Sequence, residues 1–143
     1  MICADTSFLL SYYGEDAFSE RARIHRTSAT HPLHIHSFNE FEIANALRLL
    51  VFREKISSER MRAWRASFDA DKNAGLLVAT ELDPNAVLRR AEILSAAHTE
   101  TGGNRSYDIL HVAAALVLGA TEFWSFDGRQ RALADAEGLA VGP

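Results

Sequence analysis

Apolar residues recur along this 143-residue chain at two spacings, and the change from one to the other marks out its elements. MICAD (1–5) is a short apolar run that stops at an acid, and TSFLLSYY (6–13) continues with helical spacing. EDAFSERARIHRTSA (15–29) predicts a second helix, with a stripe of Phe18, Ala22 and either Ile24 or His25. PLHIHS (32–37) alternates as a half-buried strand does. FNEFEIANALRLLVFRE (38–54) predicts a long helix with Phe41, Ala44, Leu47 and Val51 inward, and SSERMRAWRASFDADKN (57–73) another with Met61, Trp64 and Phe68 on one face. GLLVATEL (75–82) reads as a strand, and DPNAVLRRAEILSAAHTE (83–100) as a helix with Pro84 in its first turn. After a TGGN break (101–104) come a helix at 107–118 that is apolar nearly all round, the strand EFWSF (122–126), the helix GRQRALADAEG (128–138) and a terminal LAVGP.

Strands alternating with helices predict a three-layer α/β/α sandwich around a central, mostly parallel sheet. No repeat, low-complexity tract or linker interrupts the chain, so residues 1–143 read as a single domain. That length buries a core without disulfide or metal staples. In open α/β sheets ligands bind beyond the carboxyl ends of the strands, which makes acids at strand ends informative.

Four acids fall there. Asp5 ends the first strand, Asp127 ends EFWSF, Asp108 lies in the first turn of the apolar helix, and Glu42 lies one turn into the helix after LHIHS. Helix capping accounts for Asp5 or Asp127 taken alone. Asp108 is less easily explained so, because Ser106 occupies the expected cap position. Ser37-Phe-Asn-Glu40 has capping-box spacing, which assigns Glu40 to the helix start and leaves Glu42, with Asn45 beyond it, as the freer carboxylate; Glu40 is the alternative. At ~5 Å and an effective dielectric of ~20, each pair of carboxylates repels by roughly 3 kcal/mol. A hard divalent cation, Mg²⁺ or Mn²⁺, resolves that repulsion through oxygen ligands, and such a site suits phosphodiester hydrolysis.

Composition alters this picture little. With 48% apolar and 24% charged residues the chain is globular, not disordered. A net charge of −4 argues against a broad electrostatic footprint for nucleic acid. A local acidic site tolerates that balance, because a bound cation meets the phosphate. The bases are thirteen Arg and two Lys, a bias that matches phosphate geometry and equally follows from a GC-rich genome. Cys3 is the only cysteine, so one chain offers neither a disulfide nor a cysteine-based zinc site. No apolar run approaches the ~20 residues of a membrane span and the start lacks signal-peptide features, so a cytoplasmic location is expected.

ADTSFLL at the start, EIANAL at 42–47, RSYDILHVAAALVLGA at 105–120 and FWSFDGRQRALADAEGLAV at 123–141 together resemble the ordered acidic motifs of PIN-domain ribonucleases, and in particular the VapC-type toxins of toxin–antitoxin pairs. The resemblance spans essentially the whole chain. It implies a Mg²⁺- or Mn²⁺-dependent endoribonuclease that cuts RNA by water attack. Asp5, Glu42, Asp108 and Asp127 would be its acidic residues, with Asp5, Asp108 and Asp127 as metal ligands. Ser125 stands where the family often has Thr, and Thr6 or Ser7 would orient Asp5 or a water. Arg105 and Arg129 would either hold the RNA backbone or merely balance the acids. The resemblance also implies a homodimer and a small antitoxin that lays a peptide over the active-site groove.

His34 and His36 share a strand face, but no third ligand of matching spacing supports a zinc site. His111, one turn after Asp108, either packs within its apolar helix or faces the acids. An aspartate-based phosphatase would need a second Asp where Ser7 stands, and a receiver domain would need a late Lys, yet none follows Lys72. A PIN-like binding module without activity, or an RNA-processing nuclease outside any toxin pair, are the remaining alternatives.

Overall fold

The computed structural model describes residues 1–143. The chain runs β1 (Ile2–Ala4), α1 (Thr6–Tyr13), α2 (Ser19–Ser28), β2 (Leu33–Ile35), α3 (Ser37–Phe52), α4 (Ser58–Asn73), β3 (Leu77–Ala79), α5 (Pro84–Gly102), α6 (Ser106–Val117), β4 (Glu122–Trp124), α7 (Gly128–Ala136) and β5 (Ala140–Gly142). The five strands form one sheet in the order β3-β2-β1-β4-β5, every pair parallel. The expected three-layer α/β architecture is present, and the sheet is wholly parallel. The terminal LAVGP segment supplies β5 as its edge strand, which its short, weakly patterned sequence did not announce.

Strand alternation divides the core in two. Cys3 and Phe123 point to one face and pack with Val87, Leu94, Val112, Leu133 and Leu139 from α5, α6 and the α7 region. Ile2, Ala4, Leu33, Ile35 and Trp124 point to the other and pack with Phe8, Leu9, Ala22, Ile43, Leu47 and Phe68 from α1 to α4. The chain thus winds from β1 out to β3 with helices on one face. It then crosses to β4 and β5 with helices on the other. The reversal puts the topological switch point between the carboxyl ends of β1 and β4, where such sheets bind ligands.

The stripe predicted on α3 is displaced, and of the two alternatives on α2 the structure takes His25, with Phe18 left 46% exposed. On α3 the buried residues are Asn39, Ile43 and Leu47, one every four residues, whereas Phe41 is 61% exposed. On α2 Ala22 is buried and His25 packs against Trp124 with ring centroids 4.2 Å apart, while Ile24 faces solvent. The TGGN break works through Gly103, whose φ of 63° ends α5 in the left-handed conformation that side chains disfavour. That turn delivers Asn104 and Arg105 to the start of α6. No helix is long and apolar enough to cross a membrane.

Candidate acidic metal site

Asp5 is fully buried at the N-terminus of α1. Its Oδ1 accepts from the Phe8 amide at 2.9 Å and from the Ser7 hydroxyl at 2.8 Å, and its Oδ2 accepts from the Ser125 hydroxyl at 2.9 Å. Ser125 Oγ also accepts the Asp127 amide at 2.9 Å, and Ser7 Oγ accepts the Phe126 amide at 2.9 Å. Two hydroxyls therefore stitch the end of β1 to the end of β4. Burial pushes the Asp5 carboxyl above its ordinary pKa, an effect the Phe8 amide, His111 and the two serines only partly offset.

Asp127 divides its labour. Oδ1 caps α7 by accepting from the amides of Arg129 (2.8 Å) and Gln130 (3.1 Å), and Oδ2 faces Arg105 Nη2 at 3.3 Å. Asp108 is buried on α6 and is gripped by the Arg105 fork, Nε to Oδ2 at 3.0 Å and Nη2 to Oδ1 at 3.1 Å. Arg105, not Ser106, is the residue before the helix, and Asp108 Oδ2 also accepts its backbone amide at 3.0 Å. Capping and site membership are thus not rivals for these aspartates, since a carboxylate has oxygens for both. The Arg105 guanidinium is held above its ordinary pKa first by its hydrogen bonds to Asp108, then by the charges of Asp108, Asp127 and Glu42.

The expected Ser37–Glu40 capping box does not form. α3 begins one residue earlier than that box requires, with His36 as its cap, so Asn39 takes the third helical position and its Oδ1 accepts the His36 amide at 3.1 Å. Glu40 pairs instead with Lys72. Glu42 is the glutamate drawn toward the aspartates: its Oε2 meets His111 Nε2 at 2.6 Å. Asn39 Nδ2 donates to the Ala4 carbonyl at 3.0 Å and stands 3.3 Å from His111 Nδ1. With the Asn39 oxygen engaged by His36, its NH2 faces the ring, so the network assigns Nδ1 as acceptor and the proton to Nε2, aimed at Glu42. Burial alone would raise the Glu42 pKa, but the hydrogen bond from His111, with the charge of Arg105 nearby, outweighs it and holds the carboxyl below its ordinary value.

The remaining predicted residues divide. Ser7 and Ser125 sit within the network, and Thr6 is buried next to Asp5 in the chain. Asn45 is exposed and makes no side-chain hydrogen bond; the amide that serves the site is Asn39. Arg129 meets Asp127 only through its backbone amide, which donates to Oδ1, and its guanidinium donates to the Gly103 carbonyl at 3.3 Å. Arg105 pairs with Asp108 and Asp127. Sequence reading missed Asn39 and Gln130, whose Nε2 donates to Asp108 Oδ1 at 3.3 Å; both occupy helix-start positions where a polar residue calls for no special explanation. His34 bonds Thr80 at 3.0 Å and His36 packs on Phe38 and His111, so neither builds a zinc site. Burial of His36 lowers its pKa to about 3, with His111 adding to the effect and Glu42 opposing it.

A divalent cation fits this donor set as an open site. No three His, Cys, Asp or Glu side chains stand close enough to form a cage. Mg²⁺ ordinarily keeps several waters and takes only one or two carboxylates from a protein. The charges of Asp108, Asp127 and Glu42 act on the one Arg105 guanidinium, so negative charge is in excess. Thr6 Oγ1 and Gln130 Oε1, the latter on the amide that holds Asp108, are buried without a partner. Such oxygens suit the water shell of a hydrated ion.

An all-parallel sheet with helices on both faces and acids gathered at its switch point defines a class: open α/β proteins with an acidic switch point. Within that class the chain belongs to the PIN domain family, whose profile matches residues 2–136. No curated protein sequence matches it. Among solved structures, Mycobacterium tuberculosis VapC20, described as a sarcin-ricin loop cleaving toxin, shares the fold with a TM-score of 0.72 at 18% identity over 100% of both chains. FitAcB from Neisseria gonorrhoeae gives 0.66 at 15% identity over 100% of this chain and 97% of that one. PAE2754 from Pyrobaculum aerophilum gives 0.57 at 20% identity over 98% and 82%. At these identities the likeness establishes the fold.

Proposed function

We propose that this protein is a Mg²⁺- or Mn²⁺-dependent endoribonuclease and the toxin of a toxin–antitoxin pair. RNA is its substrate, a small cognate antitoxin its inhibitor, and a homodimer its working form. The observation that carries the reading is the joining of Asp5, Asp127 and Asp108 through Ser125 and Arg105 into one chain of hydrogen bonds at the sheet's switch point, with Glu42 held by His111, whose partner Asn39 bonds the Ala4 carbonyl next to Asp5. PIN family membership and the fold shared with a cleaving toxin support it.

Asp5, Asp108 and Asp127 would hold the cation, which when bound lowers the pKa of a water and offsets charge on the phosphate. Ser7 and Ser125 keep Asp5 in one rotamer through hydrogen bonds to both its oxygens. Glu42 stays ionised at neutral pH, and with Oε2 engaged by His111 its Oε1 is free to accept a proton from the attacking water. Arg105, two-thirds exposed, is free to leave the acids for a phosphate.

The test is mapping of new RNA ends after induction in cells, wild type against Asp108→Asn. New ends together with growth arrest, both absent in the variant at equal soluble protein, are expected. Equal patterns in the two would overturn the reading.

A further inference from the structure

A stack of three aromatic rings climbs from the core to the surface beside the acids. Phe8 is fully buried. Phe126 lies 5.8 Å from it at 17°, and Phe18 lies a further 4.7 Å out at 13°. Aromatic pairs are as ready to meet edge-to-face as in an offset stack, so three near-parallel rings in succession are a particular arrangement. The stack ends open, because Phe18 is 46% exposed. Its middle ring belongs to the active edge: the Phe126 amide donates to Ser7 Oγ, Ser7 donates to Asp5, and the next residue is Asp127. Arg21 sets its guanidinium carbon 5.9 Å from the Phe126 ring centre, placing a cation alongside.

We propose that the outer face of Phe18 is a base-stacking platform for single-stranded RNA, taking a nucleobase adjacent to the phosphodiester held at the acids. The inference rests on the nuclease reading and adds a subsite to it. Flat aromatic faces flanked by Arg are how proteins hold unpaired nucleotides, since every base offers a π-face while its phosphate meets the cation. Continuity decides the occupant: the open ring is one stacking distance from a residue whose neighbours on both sides, Ser125 and Asp127, belong to the acidic network. Phe18 occupies the cap position of α2 without making a cap hydrogen bond, so capping accounts neither for its presence nor for its alignment with Phe126.

The experiment measures binding of a short fluorescent single-stranded RNA to full-length protein carrying Asp108→Asn, alone and with Phe18→Leu or Phe18→Trp. Melting curves confirm that each variant is folded, and wild-type cleavage of the same RNA runs in parallel. Phe18→Leu, apolar but not aromatic, is expected to weaken binding on the order of 10-fold or more. Phe18→Trp is expected to retain it, with emission quenched by the RNA. Placing an abasic site at one position of the oligonucleotide should erase the difference between Phe18 and Leu. Equal affinity for the Leu variant overturns the platform, as does a loss that no abasic position erases. A change in the protein's mass in solution with RNA affinity intact also overturns it, because the ring then serves a protein contact. If wild type cleaves while binding ignores Phe18, the platform alone falls; if wild type neither binds nor cleaves RNA, the nuclease reading falls and takes the platform with it.

Discussion

Replacing Arg105 with Gln removes the cation that bridges Asp108 and Asp127. One nitrogen of that guanidinium lies 3.1 Å from Asp108 Oδ1 and 3.3 Å from Asp127 Oδ2. Two carboxylates so placed, within about 6 Å of each other, repel by roughly 3 kcal/mol at an effective dielectric of ~20. The Arg105 side chain is 67% exposed, so solvent screening reduces the net effect to about 1–2 kcal/mol. For a chain of this size that corresponds to a fall in Tm of roughly 3–8 °C in EDTA. Added salt should narrow the gap, because the repulsion is partly solvent-facing. A divalent cation supplies the missing charge, so Mg²⁺ or Mn²⁺ should raise the variant's Tm more than the wild type's. Calorimetric titration should likewise show Mn²⁺ binding more tightly to Arg105→Gln, since no guanidinium has to be displaced. Differential scanning calorimetry in EDTA and in Mn²⁺, on both proteins, reads all of this. Equal stability in EDTA together with equal or weaker Mn²⁺ binding would refute the view that Arg105 and the cation answer the same charge.

Two further predictions concern the buried histidines. His111→Leu removes the donor to Glu42 and leaves the Asn39 amide facing hydrocarbon, costing about 1–3 kcal/mol; RNA cleavage should fall with it, and His111→Gln, which keeps a donor, should recover part of both losses in urea unfolding and initial-rate assays. His36 has its pKa lowered from 6.5 to about 3 in the native state. The unfolded chain therefore binds its proton first, and stability is lost as pH falls below 6.5. That loss amounts to roughly 2 kcal/mol by pH 5. Asp5, its native pKa raised, acts in the opposite direction. Urea titrations at pH 7.5 and 5 should show the decline in wild type and a flatter response in His36→Gln; identical slopes would count against burial of a neutral ring.

The acidic set was legible before any coordinates because its members sit at element ends, and element ends follow from local pattern. An apolar run that stops at an acid places Asp5, and the EFWSF alternation places Asp127. The start of an all-apolar helix places Asp108. The order of strands and helices then fixes the layer architecture. Elsewhere local pattern chose the wrong partner. Ser37-x-x-Glu40 has the right spacing for a capping box, but the helix starts at His36, and Lys72 across the α3–α4 pair claims Glu40. Phe41 satisfied the helical period, yet the register that packs Ile43 and Leu47 against the sheet turns it outward.

What the sequence alone determined is the kind of element over most of the chain, the terminal strand β5 excepted, and the carboxylates at the carboxyl edge of the sheet. Only the folded chain decided who holds each of them: His111 on Glu42 across 69 positions, Ser125 on Asp5 across 120, Arg105 on Asp127 across 22. Periodicity records which side of an element faces hydrocarbon. The partner of a buried polar group is chosen by whichever donor the packing of distant elements carries to it, and no local spacing encodes that choice.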